Sequence, residues 1–334
     1  IQIMNGLSAH KHSKQISSVK RTKVKLRLGM SPISWSNDDL PQLGGETSLQ
    51  TCLVETREAG FTGTETGGKF PKDAAALSAV LGAHDLALVS GWYSGTLINN
   101  SLEEELERIA EQLALFKQCG ASVIVYGETY ETVQNRQERP LSSRPKLEDF
   151  DVAAYGRRLT MLAEHCGAEG VPLSFHHHMG TAVETEAELD LLMSHTGAAV
   201  NLLLDTGHLV FAGGDNLQVI KNHGHRINHV HTKDIRESIL AAVNKDKQSF
   251  LDCVLDGVFT VPGDGLIAYD PIMAALYETG YEGWVIIEAE QDPAKANPLV
   301  YARMGYNALE ASLTKAGYRI CLLYTSDAAD DSLR

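Results

Sequence analysis

The most constraining feature of this chain is a regular alternation of short apolar runs with amphipathic stretches of helical spacing, between residues 26 and 290. Short buried strands that alternate with helices are typical of β-α units forming a parallel sheet. Eight apolar runs occur, at residues 26–33, 60–65, 86–91, 121–126, 172–178, 200–205, 227–231 and 284–288. The predicted helices span residues 48–59, 73–84, 102–119, 147–169, 184–194, 215–222 and 271–279. Eight such units predict an α/β fold, a single (β/α)8 TIM barrel.

The structural alternative is an open, doubly wound sheet, whose nucleotide-binding members carry a GxGxxG turn after the first strand. No such turn follows residues 26–33. Two connections are long, residues 130–146 after the fourth strand and residues 236–265 after the seventh, and we expect them to be lids or binding loops. The Pro-Gly-Asp-Gly stretch at 262–265 has turn chemistry; it either brings a loop over the barrel mouth or is simply a turn.

The two ends of the chain do not share this alternation. Residues 1–27 contain seven Lys or Arg and no acidic residue, whereas residues 321–334 resemble translated adapter sequence. We therefore expect a disordered, non-native leader at 1–22, a barrel domain at 23–320, and a disordered, artefactual tail at 321–334.

Charge and composition limit the kinds of molecule that this chain is expected to bind. The formal charge is −14; without the +7 of residues 1–27 and the −2 of residues 321–334, residues 28–320 carry about −19. This opposes general binding to nucleic acid or to an anionic membrane. There is no apolar run of membrane-spanning length, and the five cysteines form no CxxC pair, so a cytoplasmic location is expected. The oligomeric state is open, a homo-oligomer included.

Ionisable side chains end four consecutive predicted strands, the fifth to the eighth. Active sites of such barrels lie at the C-terminal ends of the strands. Alternation along the fifth strand places His176 and His178 on one face and His177 on the other. Imidazole and carboxylate together suit Mn²⁺, Co²⁺, Zn²⁺ or Fe²⁺ better than Mg²⁺ or Ca²⁺. One ligand from each strand predicts a metal site of His176, Asp205, His231 and Glu288.

Each of these motifs has a structural alternative when taken alone. A His-x-His pair on an apolar strand is often a hydrogen-bonded core pair, and Asp205 followed by Thr-Gly-His is also a helix cap. Four barrel strands that all end in buried ionisable groups are harder to explain by packing, because such groups are costly unless paired or metal-bound. His177 is interpreted as structural, and His229 as support for His231. The remaining groups expected in the same pocket are Lys233, Glu290, His178 and His208.

The ends of the first three strands supply aromatic and polar groups that suit a polyol ring. The loop after the first strand is also explained as a capped turn, and Lys69 as a solvated lysine. The predicted substrate-binding residues are Trp35, Asn37, Asp38, Glu65, Lys69 and Trp92.

These residues resemble the xylose isomerase-like TIM-barrel superfamily and, within it, the inosose dehydratases of myo-inositol catabolism. The resemblance runs from about Leu28 to Tyr318. It rests on the stretches at residues 31–39, 60–65, 69–71, 175–181, 204–208, 229–234 and 262–265. The resemblance implies the quartet above as ligands of Mn²⁺ or Co²⁺, glutathione as a further requirement, and a polyol ketone substrate. One departure is that many isomerases and epimerases have Glu where His176 stands, which leaves ligation by His176 or by His178 open.

The implied reaction removes water from scyllo-inosose to give a trihydroxycyclohexane-1,2-dione. A ketone acidifies the neighbouring C–H bond, so one group must remove that proton and another must protonate the leaving hydroxyl. Our hypothesis is that Glu290 or His178 is the base and that Lys233 orients or protonates oxygen, with His208 as a further candidate. The alternatives are a metal-dependent sugar isomerase or epimerase, a nuclease that the charge opposes, and a sugar-binding barrel without turnover.

Overall fold

The computed structural model describes residues 24–321. In chain order its strands and α-helices are β1 (Lys25–Met30), α1 (Leu49–Glu58), β2 (Gly63–Thr66), α2 (Ala74–Gly82), β3 (Ala87–Gly95), α3 (Leu102–Cys119), β4 (Ile124–Glu128), α4 (Val152–Ala168), β5 (Leu173–His176), α5 (Glu186–Ser194), β6 (Asn201–Asp205), α6 (Thr206–Ala212), α7 (Asn216–His223), β7 (Ile227–Thr232), β8 (Asp234–Ile235), α8 (Glu237–Ala242), α9 (Phe250–Asp256), β9 (Phe259–Thr260), α10 (Tyr269–Thr279), β10 (Gly283–Ile287), α11 (Pro298–Ala316) and β11 (Arg319–Ile320). The predicted leader and all but the first residue of the predicted tail lie outside the described residues.

Eight strands, β1 to β7 and β10, form a closed parallel barrel. Each strand pairs with its neighbour in this order, and β10 pairs in parallel with β1, for example Gly29 with Ile286, which closes the sheet. Strand β11 adds to the β1 side at Lys25 and Leu26. The predicted (β/α)8 barrel is therefore confirmed, and its eight strands are those expected.

Local sequence explains where the helices begin and end. In α3 the Ser101 side chain accepts from the Glu104 amide and the Glu104 carboxylate accepts from the Ser101 amide, which satisfies two amides at the helix start. Ile109 and Phe116 lie on the buried face. The helix ends at Gly120, whose φ of 73° favours glycine.

The segment 236–265 was expected to be a lid or binding loop, and this prediction is wrong. It folds into α8, α9 and the antiparallel β8–β9 pair, and none of its residues lines the cavity at the C-terminal end of the barrel. Phe250 and Phe259 are buried in a second apolar cluster together with Met179 and Phe211 from the ends of β5 and α6. The segment carries enough apolar side chains to pack as a fixed wall against the end of the barrel.

The turn at 262–265 is stabilised by hydrogen bonds to the side chain of Asp234. The Asp234 carboxylate accepts from the amides of Ile235 and Ile267 at 2.8 and 2.9 Å and from the Gly263 amide at 3.3 Å. The stretch is therefore a turn that the hydrogen bonds of Asp234 hold in place.

Within residues 24–321, no helix combines the length and the apolar character needed to cross a membrane.

Candidate metal centre and active site

A cavity of about 470 Å³ opens at the C-terminal end of the barrel, where the sequence places its polar strand ends. This is within the usual size range of small-molecule sites. Its walls come from the loops after β1 to β4, and its floor from the ends of β5, β7 and β10. The floor residues are His178, His231, Glu288 and Glu290.

The four predicted metal ligands converge at and behind this floor: His231 and Glu288 line the cavity, whereas His176 and Asp205 do not. His176, Asp205, His231 and Glu288 each offer a ligand atom, and these atoms lie within 4.8 Å of one another. Asp205 Oδ2 is 3.6 Å from His176 Nε2 and 3.7 Å from His231 Nδ1, which in turn is 2.6 Å from Glu288 Oε2. His178, the other candidate, lies two residues after β5 and falls in a separate group with His208 and Glu290.

The donor set fits a divalent cation. Asp205 Oδ2, His231 Nδ1 and Glu288 Oε2 are buried, and none has a hydrogen-bond partner. The fold thus brings these atoms within 4.8 Å of one another without using them in hydrogen bonds, and two imidazoles with two carboxylates are ligands that Mn²⁺, Co²⁺ and Zn²⁺ accept. Burial disfavours ionisation of Asp205, but Lys233 and His231 lower its pKa overall, which keeps it anionic.

Asp205 has two functions at once. Its Oδ1 accepts from the Gly207 and His208 amides at 2.9 and 2.8 Å and caps α6, and this cap was expected only as the alternative to a metal ligand. The cap orients the carboxylate, so that Oδ2 remains for the cluster. Helix α6 itself was not predicted, because its seven residues follow the strand without an intervening loop.

Lys233 lies behind the cavity floor. It is fully buried, and its Nζ is 3.0 Å from both His208 Nε2 and Glu290 Oε1. Burial opposes its charge, but Glu288, Glu290 and Asp205 raise its pKa. Burial, with Glu288 nearby, raises the pKa of Glu290 to about 7. Glu290 and His178 line the cavity, whereas Lys233 and His208 do not.

Aromatic rings enclose this group. Phe250 stacks on His208 at 5.6 Å between ring centroids and packs edge-on against His178 at 5.0 Å. Phe259 lies 4.6 Å from Lys233 Nζ. On the cavity side, the Trp92 ring packs edge-on against both His176 and His178. The segment 236–265 thus keeps water away from the groups behind the floor.

The predicted substrate-binding residues differ in whether they line the cavity and in what their side chains contact. Trp35, Asp38, Glu65, Lys69 and Trp92 line the cavity. Asp38 accepts from the Gly68 amide at 2.7 Å, and Lys69 Nζ donates to the carbonyls of residues 44, 45 and 47. Trp35 donates to a carboxylate on α1. These three side chains hold the loop after β1.

Asn37 is the predicted residue that does not line the cavity. Its side-chain oxygen accepts from the Asp39 and Leu40 amides at 2.8 and 3.0 Å, so the capped-turn alternative describes it. His177 accepts from the Asp205 amide at 3.3 Å, away from the other two histidines of its motif.

The loop after β4 contributes cavity residues that were not predicted from the sequence. Thr132, Gln134, Asn135 and Arg136 line the cavity. Gln134 is 6% exposed and follows Thr132, whose hydroxyl donates to the carbonyl of Gly180 and joins this loop to the end of β5. The length of the connection had indicated a binding loop, but no residue in it has a pattern of its own.

Comparison with known proteins agrees with the barrel. A family model described as xylose isomerase-like TIM barrel matches residues 53–311. The rhizopine catabolism protein MocC of Rhizobium meliloti is 46% identical over 93% of this chain and 95% of its own length. An inosose dehydratase of Geobacillus thermodenitrificans is 43% identical over 83% of this chain and 94% of its own.

Solved structures show the same fold at low identity. An L-ribulose 3-epimerase superposes with a TM-score of 0.61 at 17% identity, covering 87% of this chain and 95% of that one. The IolI protein, crystallised with a zinc atom, superposes with a TM-score of 0.59 at 17% identity, covering 87% and 99%. With the family model and relatives above 40% identity over most of its length, this chain belongs to the xylose isomerase-like TIM barrel family.

Proposed function

We propose that this chain is an inosose dehydratase, which removes water from scyllo-inosose to give 3D-(3,5/4)-trihydroxycyclohexane-1,2-dione. The observation that carries the proposal is that one cavity floor holds two kinds of group: His231 and Glu288, which belong to a cluster of four possible metal ligands, and His178 and Glu290, which are suited to proton transfer. Several relatives at 40–43% identity bear the name inosose dehydratase, which supports the same substrate.

His176, Asp205, His231 and Glu288 would hold the cation, for which Mn²⁺ or Co²⁺ is proposed. A divalent ion held by these residues would supply Lewis-acid polarisation of the substrate carbonyl. The unpartnered atoms of Asp205, His231 and Glu288 support this assignment.

The protein's own side chains supply the two proton transfers. His178 Nδ1 donates to the Met179 carbonyl at 2.7 Å, so Nε2 carries the lone pair that takes the proton from the carbon next to the ketone. Glu290 gives a proton to the leaving hydroxyl, which departs as water. Lys233 donates a hydrogen bond to Glu290 from the side away from the cavity and so acts through it as a positioning residue. His178 then releases the proton it has taken to solvent, and Glu290 takes one up from solvent, since both line the open cavity.

Exchange in D₂O separates these roles. With metal present, Glu290→Gln should slow water loss but keep exchange of the substrate's α-hydrogen, whereas His178→Ala should abolish both. Equal loss of exchange in the two variants would contradict the assignment of base and acid.

To test the reaction itself, the full chain is stripped of metal and mixed with scyllo-inosose. Formation of the dione is then followed by its ultraviolet absorbance. Absorbance that requires added Mn²⁺ or Co²⁺ supports the proposal, and parallel samples with glutathione test that further requirement. A new ketose without dione would indicate the isomerase or epimerase alternative. No product with any metal would overturn both.

A second candidate is a step in rhizopine catabolism, favoured by the 46% identity to MocC. Incubating the metal-loaded protein with rhizopine in place of scyllo-inosose tests it. Consumption of rhizopine, with scyllo-inosose unchanged, would favour this function over the first.

A further inference from the structure

Glu65, at the end of β2, makes contacts that the proposed reaction does not use. It is 5% exposed and reaches across the barrel interior to β7. Its Oε1 accepts three hydrogen bonds: from Ser90 Oγ at 2.6 Å, His229 Nε2 at 3.0 Å and His231 Nε2 at 2.9 Å. One carboxylate oxygen therefore joins β2, β3 and β7.

These bonds determine which nitrogen of His231 carries hydrogen. A carboxylate oxygen only accepts, so His231 must donate through an Nε2–H. In the neutral ring the lone pair is then on Nδ1, the atom that lies 2.6 Å from Glu288 Oε2 and 3.7 Å from Asp205 Oδ2. A metal-binding imidazole needs this arrangement, with one nitrogen facing the ion and the other donating to a carboxylate.

Ser90 and His229 hold the carboxylate itself in place. Both contact the same oxygen, and Ser90 Oγ also lies 3.2 Å from His229 Nε2. All four side chains are buried, so the bonds form without competition from bulk water. The position of Oε1, and with it the direction of the His231 ring, is fixed from three sides.

We propose that Glu65 is a positioning residue of the metal centre: its carboxylate fixes the Nε2–H tautomer and the orientation of His231 and thereby sets the affinity of the centre for a divalent cation. This rests on the ligand set proposed above. It replaces the expectation that Glu65 contacts substrate, although Glu65 also forms part of the cavity wall.

The test measures Mn²⁺ binding to the full chain without substrate, by the electron paramagnetic resonance signal of free Mn²⁺. Loss of a carboxylate that bonds a metal-binding histidine weakens metal binding by about 10–100-fold, and we expect this of Glu65→Gln. Glu128→Gln is the matched control, another buried strand-end carboxylate that lies outside the cavity, and it should bind Mn²⁺ within about twofold of the parent chain.

Parent-like Mn²⁺ affinity in Glu65→Gln, with a raised KM, would overturn the proposal and restore Glu65 as a substrate contact. If Glu65→Gln fails to fold, Ser90→Ala decides, because it loosens the carboxylate without removing its charge. A several-fold loss of Mn²⁺ affinity in that variant supports the proposal, and unchanged affinity overturns it.

A second readout follows the hydrogen bond between His231 and Glu65 directly. In ¹⁵N-histidine-labelled protein with Zn²⁺, which is diamagnetic, the His231 Nε2–H proton should resonate downfield because it is bonded to a carboxylate, and Glu65→Gln should shift it upfield, since a neutral amide oxygen is a weaker acceptor. His231→Ala separates the proposed metal ligand set from the proposed role of Glu65. If it keeps Mn²⁺ affinity, the ligand set is wrong; if it loses affinity while Glu65→Gln does not, only the role of Glu65 is wrong.

Discussion

Glu128 is a buried carboxyl whose ionisation opposes folding, so replacing it by glutamine is expected to change how stability depends on pH. It is 1% exposed at the end of β4, where it accepts from Tyr126 Oη at 2.9 Å and from the amides of Ile98 and Tyr130 at 3.2 and 3.1 Å. Burial raises the pKa of the Glu128 carboxyl from 4.5 to about 7, against the effect of these bonds.

The sign follows from proton binding. Between the two pKa values the folded chain keeps the proton on Glu128 and the unfolded chain has lost it. The contribution of this proton to the free energy of unfolding is therefore fully present below pH 4.5 and is lost as pH rises through about 7. A difference of about 2.5 pKa units corresponds to about 3.4 kcal/mol in total, of which about 2.5 kcal/mol is lost between about pH 5 and pH 8.

Urea unfolding of the parent chain and Glu128→Gln at a series of pH values measures this. Glutamine does not titrate, so the parent-minus-variant free energy of unfolding should fall by about 2.5 kcal/mol from about pH 5 to pH 8. A difference that stays constant over this range, or that rises, would refute the reasoning. Because Glu128 joins the loops after β3 and β4, its ionisation should also loosen the wall that carries Gln134.

The other predictions concern the cavity and its supports. Lys233→Met should lower kcat by about 100-fold, because Glu290 loses the ammonium group that positions it for proton transfer, while Mn²⁺ affinity measured by titration stays within a few-fold; unchanged kcat would show that Lys233 does not position Glu290. Gln134→Ala should raise KM for scyllo-inosose with little change in kcat, since it removes a contact made equally in ground and transition states. Gly265→Ala should cost about 1–3 kcal/mol in urea unfolding, because the new Cβ would lie 2.2 Å from Asp234 Oδ1.

The sequence by itself determined the barrel fold and which ionisable residues lie at the ends of its strands. Apolar runs and helical spacing are local patterns, and the rule that the C-terminal ends of barrel strands meet at one face then indicates that His176, Asp205, His231 and Glu288 converge. The tertiary structure brings the ligand atoms of these four residues within 4.8 Å of one another.

Only the tertiary structure decided what lies behind these groups. Glu65 and His229 are 164 residues apart in the chain, and their bond across the barrel interior has no local pattern. Lys233 follows a strand end like the ligands, yet it is packed behind Glu290 by Phe259, and the segment 236–265 is a wall because its apolar residues find partners on other loops. Which face of a polar residue is buried, and against what, depends on contacts between distant segments, and these form only when the barrel closes.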